Sequence, residues 1–193
     1  VSAGNKEHNL NSVWMRGTYG GVWQGKNLKN SSFYGNTYGG TIGADGNITD
    51  DTLLGISYTR LYADFKYRIG LGNKARTISD IMSIYGVTKL NDKYTLQSLF
   101  TTGKTHVKQK TKRLIGINTY KTAFGEFDVN TYCAEAILNY KVPNNTYIII
   151  PSLGFRYSRN YDSGYHEHGT GVHNFHVSDR TYTSFTALLG MKL

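Results

Sequence analysis

Apolar and polar side chains alternate with a period of two in eight stretches of this chain, near 12–26, 32–45, 52–67, 77–90, 93–104, 124–142, 146–159 and 181–193. Period two marks a strand, whose successive side chains point to opposite faces, whereas an amphipathic helix repeats about every 3.6 residues. No stretch shows the helical period convincingly. The connections alternate as well. "DGNITD", "NDK" and "PNNT" are tight turns of Asn, Asp, Gly and Pro, while "GKNLKNS", "RIGLGNKAR", "KTHVKQKTKRLIGINTYKTAFG" and "RNYDSGYHEHGTGVHNFHVSDRT" are long and polar. One domain of about eight antiparallel strands therefore runs up and down, with short turns at one end and long loops at the other. A Greek-key sandwich has no reason to keep that order.

The faces define what surrounds the sheet. Tyr132, Ala134, Ala136, Leu138, Tyr140 and Val142 share one side of their strand, opposite Thr131, Cys133, Glu135, Asn139 and Lys141. In "IIIPSLGFRYS" the sides are Ile149, Pro151, Leu153, Phe155, Tyr157 and Ser152, Gly154, Arg156, Ser158; in the last strand Phe185, Ala187, Leu189, Met191 and Leu193 oppose Ser184, Thr186, Gly190 and Lys192. Aromatics cluster near the ends of the apolar faces, where interfacial girdles lie. In the third strand, keeping Leu54, Ile56, Leu61, Ala63 and Phe65 together requires a bulge near Thr59 and Arg60. A soluble half-buried sheet also alternates, so the pattern alone leaves the solvent on each side open. Combined with 16 Tyr, 22 Gly and 2 Pro in 193 residues, it points to an all-β, antiparallel transmembrane barrel.

No segment approaches the roughly 20 apolar residues of a membrane helix, and "VSAGNKEHNL" lacks the apolar core of a signal peptide. A mean hydropathy of -0.43 is compatible with a barrel, because only alternate residues face lipid. The expected lipid-facing residues are Tyr132, Leu138, Tyr140, Ile149, Leu153, Phe155, Tyr157, Phe185 and Leu189; Arg16, Arg60, Lys66, Glu135, Lys141 and Arg156 are expected to line the lumen. Such charges would serve equally as a hydrated wall or as a self-paired plug. "YHEHGTGVHNFH" holds His166, His168, His173, His176 and Glu167, read as a solvated outer loop without a closed set of metal ligands. The basic run of Lys104, His106, Lys108, Lys110, Lys112 and Arg113, at net charge +9, lacks the interleaved aromatics of a nucleic-acid groove; in an outer loop it suits lipopolysaccharide, a host surface polyanion or plain solvation. Cys133 is the one cysteine. No G-x-S-x-G or nucleophile–base pair stands out, and no enzyme activity or cofactor is expected. Gly17, Gly20, Gly21, Gly39 and Gly40 lie inside strands without a following helix, so close packing of tyrosine rings over them, not phosphate binding, is expected.

Three segments together, "VWMRGTYGGVWQGK" at 13–26, "YGGTIGADGNITDDTLLGISYTR" at 38–60 and "IIIPSLGFRYS", resemble the C-terminal translocator barrel of autotransporters, the type V secretion proteins, and most closely the surface-cell-antigen group. The matching residues are the Trp followed by Gly and Tyr in the first strand, the Gly-x-Asp of Gly43, Ala44 and Asp45, the Leu53, Leu54, Gly55 run, and Pro151, Gly154, Tyr157 and Ser158. The "SAGN" opening with Glu7 is similar to the group's lead-in. The resemblance implies residence in the bacterial outer membrane, a covalently linked passenger exported to the cell surface, contact with membrane lipid and lipopolysaccharide, and insertion by outer-membrane assembly machinery. It implies a lead-in at 1–11 and a barrel at 12–193. The family's barrel has twelve strands and ends in an aromatic residue, so a chain with about eight that ends "GMKL" is expected to lack the C-terminal ones. A self-contained eight-stranded outer-membrane protein with adhesive loops and a soluble carbohydrate-binding sandwich are the other readings.

Overall fold

The computed structural model describes residues 12–25, 32–67, 72–142 and 149–192. Six long strands come first: β1 (Ser12–Gln24), β2 (Phe33–Thr49), β3 (Thr52–Tyr67), β4 (Lys74–Lys89), β5 (Tyr94–Gly116) and β6 (Thr119–Tyr140). After β7 (Ile150–Asp162) come two short strands, β8 (Tyr165–His166) and β9 (His176–Val177), and then β10 (Arg180–Lys192). Each long strand pairs antiparallel with its neighbour in the order β1-β2-β3-β4-β5-β6-β7-β10, while β8 and β9 form a separate ribbon. Turn chemistry closes the hairpins. The Asn91 side-chain oxygen accepts from the Lys93 and Tyr94 amides at 2.9 Å between β4 and β5, and Asn118 turns β5 into β6 at φ 60°, a left-handed conformation that Asn tolerates. The "PNNT" turn and the expected lead-in at 1–11 lie outside the described residues.

Direct register partners project to the same face, so the pairings divide the side chains into two surfaces. One carries Ala63, Ala75, Tyr85, Asp45 and Asn139, all buried to 8 % exposure or less. The other carries Val13, Met15, Ile42, Ile56, Met82, Phe100, Leu153 and Leu189, all strongly exposed. Side chains crowd on the inner side of a curved sheet and splay on the outer, so the first face is concave and the second, apolar one is convex. Glycine makes the concave side fit. Gly35, Gly39, Gly43, Gly55, Gly103 and Gly154 are the direct partners of Phe65, Leu61, Trp14, Tyr85, Ile81 and Ile137, and a Cβ at any of the six would press into that partner or its backbone. Of the glycines expected beneath tyrosine rings only Gly39 is covered, and by Leu61; Gly17 and Gly20 face open space, and Gly21 and Gly40 touch only polar atoms of the neighbouring strand.

Two further expectations are corrected. β3 carries no bulge at Thr59 or Arg60: its register with β4 is unbroken, and the shifts fall at Asn47/Thr49 and Leu114/Gly116 instead. The long basic segment after residue 104 is not a loop. β5 and β6 continue as a hairpin to Ile117 and Asn118, and its alternating lysines occupy one face of a strand.

Candidate functional site

The concave surface is the candidate site, and hydroxyl groups dominate its middle. Thr41 meets Thr59 at 2.8 Å, Ser83 meets Thr101 at 3.0 Å, Thr105 donates to Ser79 at 2.8 Å, and Ser158 meets Ser184 at 2.8 Å. Thr131 donates to the Asn160 side chain at 2.8 Å. Each pair satisfies itself across adjacent strands, which leaves a polar wall of low relief with few groups seeking partners. The period-two pattern contains this signal, since Ser and Thr recur on the side opposite the apolar face.

Of the six residues expected on the lumen wall, four lie on the concave side. Arg16 is the partner of Thr41, and Glu135 and Arg156 oppose each other with Arg156 Nη2 2.5 Å from the carboxylate. Lys141 sits just beyond β6 at the short-turn end, beside Lys89, Asn139 and Lys192. Arg60 and Lys66 are placed on the convex side, because without a bulge they share parity with Ile56, Tyr58 and Tyr62. Arg60 pairs with Asp80 at 3.6 Å and lies 5.7 Å from the centre of the Tyr62 ring, and Tyr58 donates to the same Asp80. The bulge would be required to keep Leu61, Ala63 and Phe65 with Leu54 and Ile56; in the unbroken strand Leu54 and Ile56 stand on the convex face and Leu61, Ala63 and Phe65 on the concave one. Tyr132, Leu138, Tyr140, Leu153, Phe155, Tyr157, Phe185 and Leu189 all fall on the convex face, and Ile149, bridged to Val142, continues it. Leu193 lies outside the described residues.

At the short-turn end the wall carries a hub not foreseen as a site. The Asp45 carboxylate accepts from the Ser12 hydroxyl, from Trp14 Nε1 at 3.0 Å and from the Tyr85 hydroxyl at 2.7 Å. At the long-loop end, residues 163–168 run along the edge of β6 beyond its pairing with β7, and Tyr165 and Glu167 turn onto the concave side of the projecting β5–β6 hairpin. Arg113 donates to both oxygens of Glu167, at 2.5 and 2.8 Å, and stacks 3.7 Å above the centre of Phe175. Tyr165 stacks on Phe127 at 4.9 Å and accepts from Gln109; burial pushes its phenol pKa up. His168 exchanges backbone hydrogen bonds with Phe124, and His166 and His176 touch each other with Nδ1 atoms 3.3 Å apart. Among the described residues no three His, Cys, Asp or Glu side chains converge as metal ligands.

The family model described as Autotransporter beta-domain matches residues 13–193. Over its whole length the chain is 30% identical to the putative surface cell antigen sca1 of Rickettsia conorii, covering 10% of that protein, and 30% identical to outer membrane protein A of Rickettsia rickettsii, covering 9%. It thus spans about a tenth of these curated relatives. Among solved structures, the translocator domain of autotransporter NalP from Neisseria meningitidis superposes with a TM-score of 0.79 at 17% identity, over 96% of this chain and 62% of that one.

Proposed function

The chain belongs to the autotransporter β-domain family, and from that membership we propose that its concave surface is part of the wall along which an upstream passenger segment crosses the bacterial outer membrane. The observation that carries this reading is the division of one continuous sheet into an apolar convex face and a concave face of mutually bonded hydroxyls. A wall whose hydroxyls bond one another offers a passing unfolded chain few unpaired donors to bind, and the apolar side chains on it, such as Leu61, Phe65, Ile81 and Ile137, are each packed over a glycine of the neighbouring strand. The chain's own part is positional, with no catalytic step and no cofactor. The driving free energy comes from passenger folding or from the outer-membrane assembly machinery that also inserts the sheet. The convex face rests in membrane lipid and meets lipopolysaccharide at its outer margin, and the passenger, covalently linked, remains anchored through this domain.

Site-specific photo-crosslinkers test the assignment in the full-length protein during export. Placed at Thr41, Thr101 or Ser158 they are expected to capture passenger; placed at Ile42, Met82 or Leu153 they are expected to capture lipid and no passenger. Equal passenger capture from both sets would refute the assignment of the faces.

A further inference from the structure

One register row on the convex face differs from everything around it. Trp23 pairs with Tyr34, Tyr34 with Lys66, Lys66 with Lys74, Lys74 with Lys110, and Lys110 with Phe124. Six adjacent strands therefore present, side by side, two aromatics, three lysines and one aromatic. The rows on the membrane side of it are charge-compensated: Arg76 bonds Asp64 at 2.7 Å, Lys108 meets Glu126 at 3.2 Å, and Lys104 meets Asp128 at 2.8 Å. No described carboxylate lies within 4.0 Å of Lys66, Lys74 or Lys110, in contrast to those three pairs. The two end ammonium groups sit over rings instead, Lys66 at 5.6 Å from the centre of Tyr34 and Lys110 at 5.3 Å from that of Phe124.

Like charges directly opposite on neighbouring strands repel, with Cβ atoms about 5 Å apart. Three in a row form a surface that an anion neutralises and that the protein itself leaves bare. Its height is informative. Lys66 lies four residues beyond Tyr62 on the same face. That is about 13 Å along the strand and, at a tilt of about 40°, about 10 Å above the aromatic girdle. The headgroups of the outer leaflet lie at this level, on the face that lipid touches. Tyr34, Asn36, Asp64, Lys66, Lys74 and Arg76 line an open groove of 360 Å³ there.

We propose that Lys66, Lys74 and Lys110 form a binding site for the phosphorylated headgroup of an outer-leaflet lipid. The ammonium groups take the phosphate oxygens, and Trp23 and Tyr34 flank them at the β1–β2 end of the row. The site rests on the reading of the convex face as lipid-facing.

The test uses the full-length protein in phosphatidylethanolamine nanodiscs doped with bis-phosphorylated lipid A, with cardiolipin, or with lipid A stripped of its phosphates, and reads lipid retention and thermal stabilisation. The wild type is expected to retain either phosphorylated lipid selectively. Lys66→Gln, Lys74→Gln and Lys110→Gln together should lower that retention about 100-fold, close to fivefold for each lysine. The same three-charge loss at Lys89, Lys141 and Lys192 should leave it unchanged. Because the triple variant relieves repulsion, its gel mobility before and after heating should match the wild type in lipid-free detergent. Equal retention of dephosphorylated lipid A, equal retention by the triple variant, or capture of soluble heparin in preference to both lipids would overturn the site. Passenger exposure on cells, followed in parallel, separates the two readings: normal export without selective lipid retention sinks the lysine site and leaves the translocation wall standing.

Discussion

The Asp45 carboxylate on β2 accepts from Ser12 and Trp14 on β1 and from Tyr85 on β4, so one side chain links the edge strand to a strand two places beyond β2. Gly55 on β3 makes this possible, since the Tyr85 ring occupies the volume its Cβ would fill. Substituting Asp45→Ala leaves the Ser12 and Tyr85 hydroxyls without their acceptor, while Trp14 Nε1 keeps the Tyr85 oxygen at 3.0 Å, at about 1–3 kcal/mol for each buried group left unsatisfied. Gly55→Val drives Tyr85 off the same acceptor by overpacking, at about 1–3 kcal/mol. Both variants are expected to convert from the compact to the unfolded gel band at lower temperature than the wild type, and combining them should cost less than the sum because they break one hub. Full additivity in the band-conversion temperatures would show that the two residues act separately. The hub was half legible: the Gly-x-Asp of residues 43–45 stood out through a family resemblance, but sequence spacing gives no sign that Asp45 meets a tyrosine forty residues away.

Strands were more legible than the groups between them. The eight long strands lie close to the stretches of alternating residues, because side-chain period two follows directly from the pleat. Where charge alternates instead of hydropathy the strand is masked, because a run of cations looks like a solvated loop: Lys104, His106, Lys108, Lys110 and Lys112 are all on one face of β5, which runs to Gly116. The facing of β7 gives the sharpest test of an element. Leu153 is paired with Leu138 and Leu189 on the convex side, and Arg156 with Glu135 and Thr186 on the concave side. Leu153→Arg puts a guanidinium into hydrocarbon at about 2–4 kcal/mol and should block assembly. Arg156→Ser loses an ion pair in which the guanidinium is half-exposed and the Glu135 carboxylate largely covered, worth about 1 kcal/mol beside a hydrated lumen, and should assemble normally. Comparable assembly defects in the two variants, read from the folded fraction on semi-native gels, would contradict the facing of the whole strand.

The eight-stranded sheet carries curvature without closure: among the described residues β1 pairs only with β2, β10 only with β7, and no register joins β1 to β10. A single curved sheet has no second sheet against which to pack its apolar face, which removes the soluble sandwich. An eight-stranded barrel would require β1 and β10 to be direct partners, since closing the cylinder abolishes every edge. The likeness to 62% of a solved translocator domain fits the open arrangement, with both edges left for further strands of a wider barrel. Cysteines distinguish the two geometries. Tyr19 and Thr183 lie on the convex face of the two edge strands, so Tyr19→Cys with Thr183→Cys, in a Cys133→Ser background, places two thiols where a closed eight-stranded barrel would bring them within a few residues of register. In the full-length protein in membranes this pair is expected to stay reduced under mild oxidant, because a disulfide needs Cα atoms within about 7 Å. A control pair across β7 and β10, Tyr157→Cys with Phe185→Cys, should oxidise readily, as direct register partners on the same face. Scanning the β1 cysteine through Met15, Gly17 and Gly21 covers the registers that closure would allow. Efficient bonding at any of them, at the rate of the control pair, would establish an eight-stranded cylinder and end the wider-barrel reading.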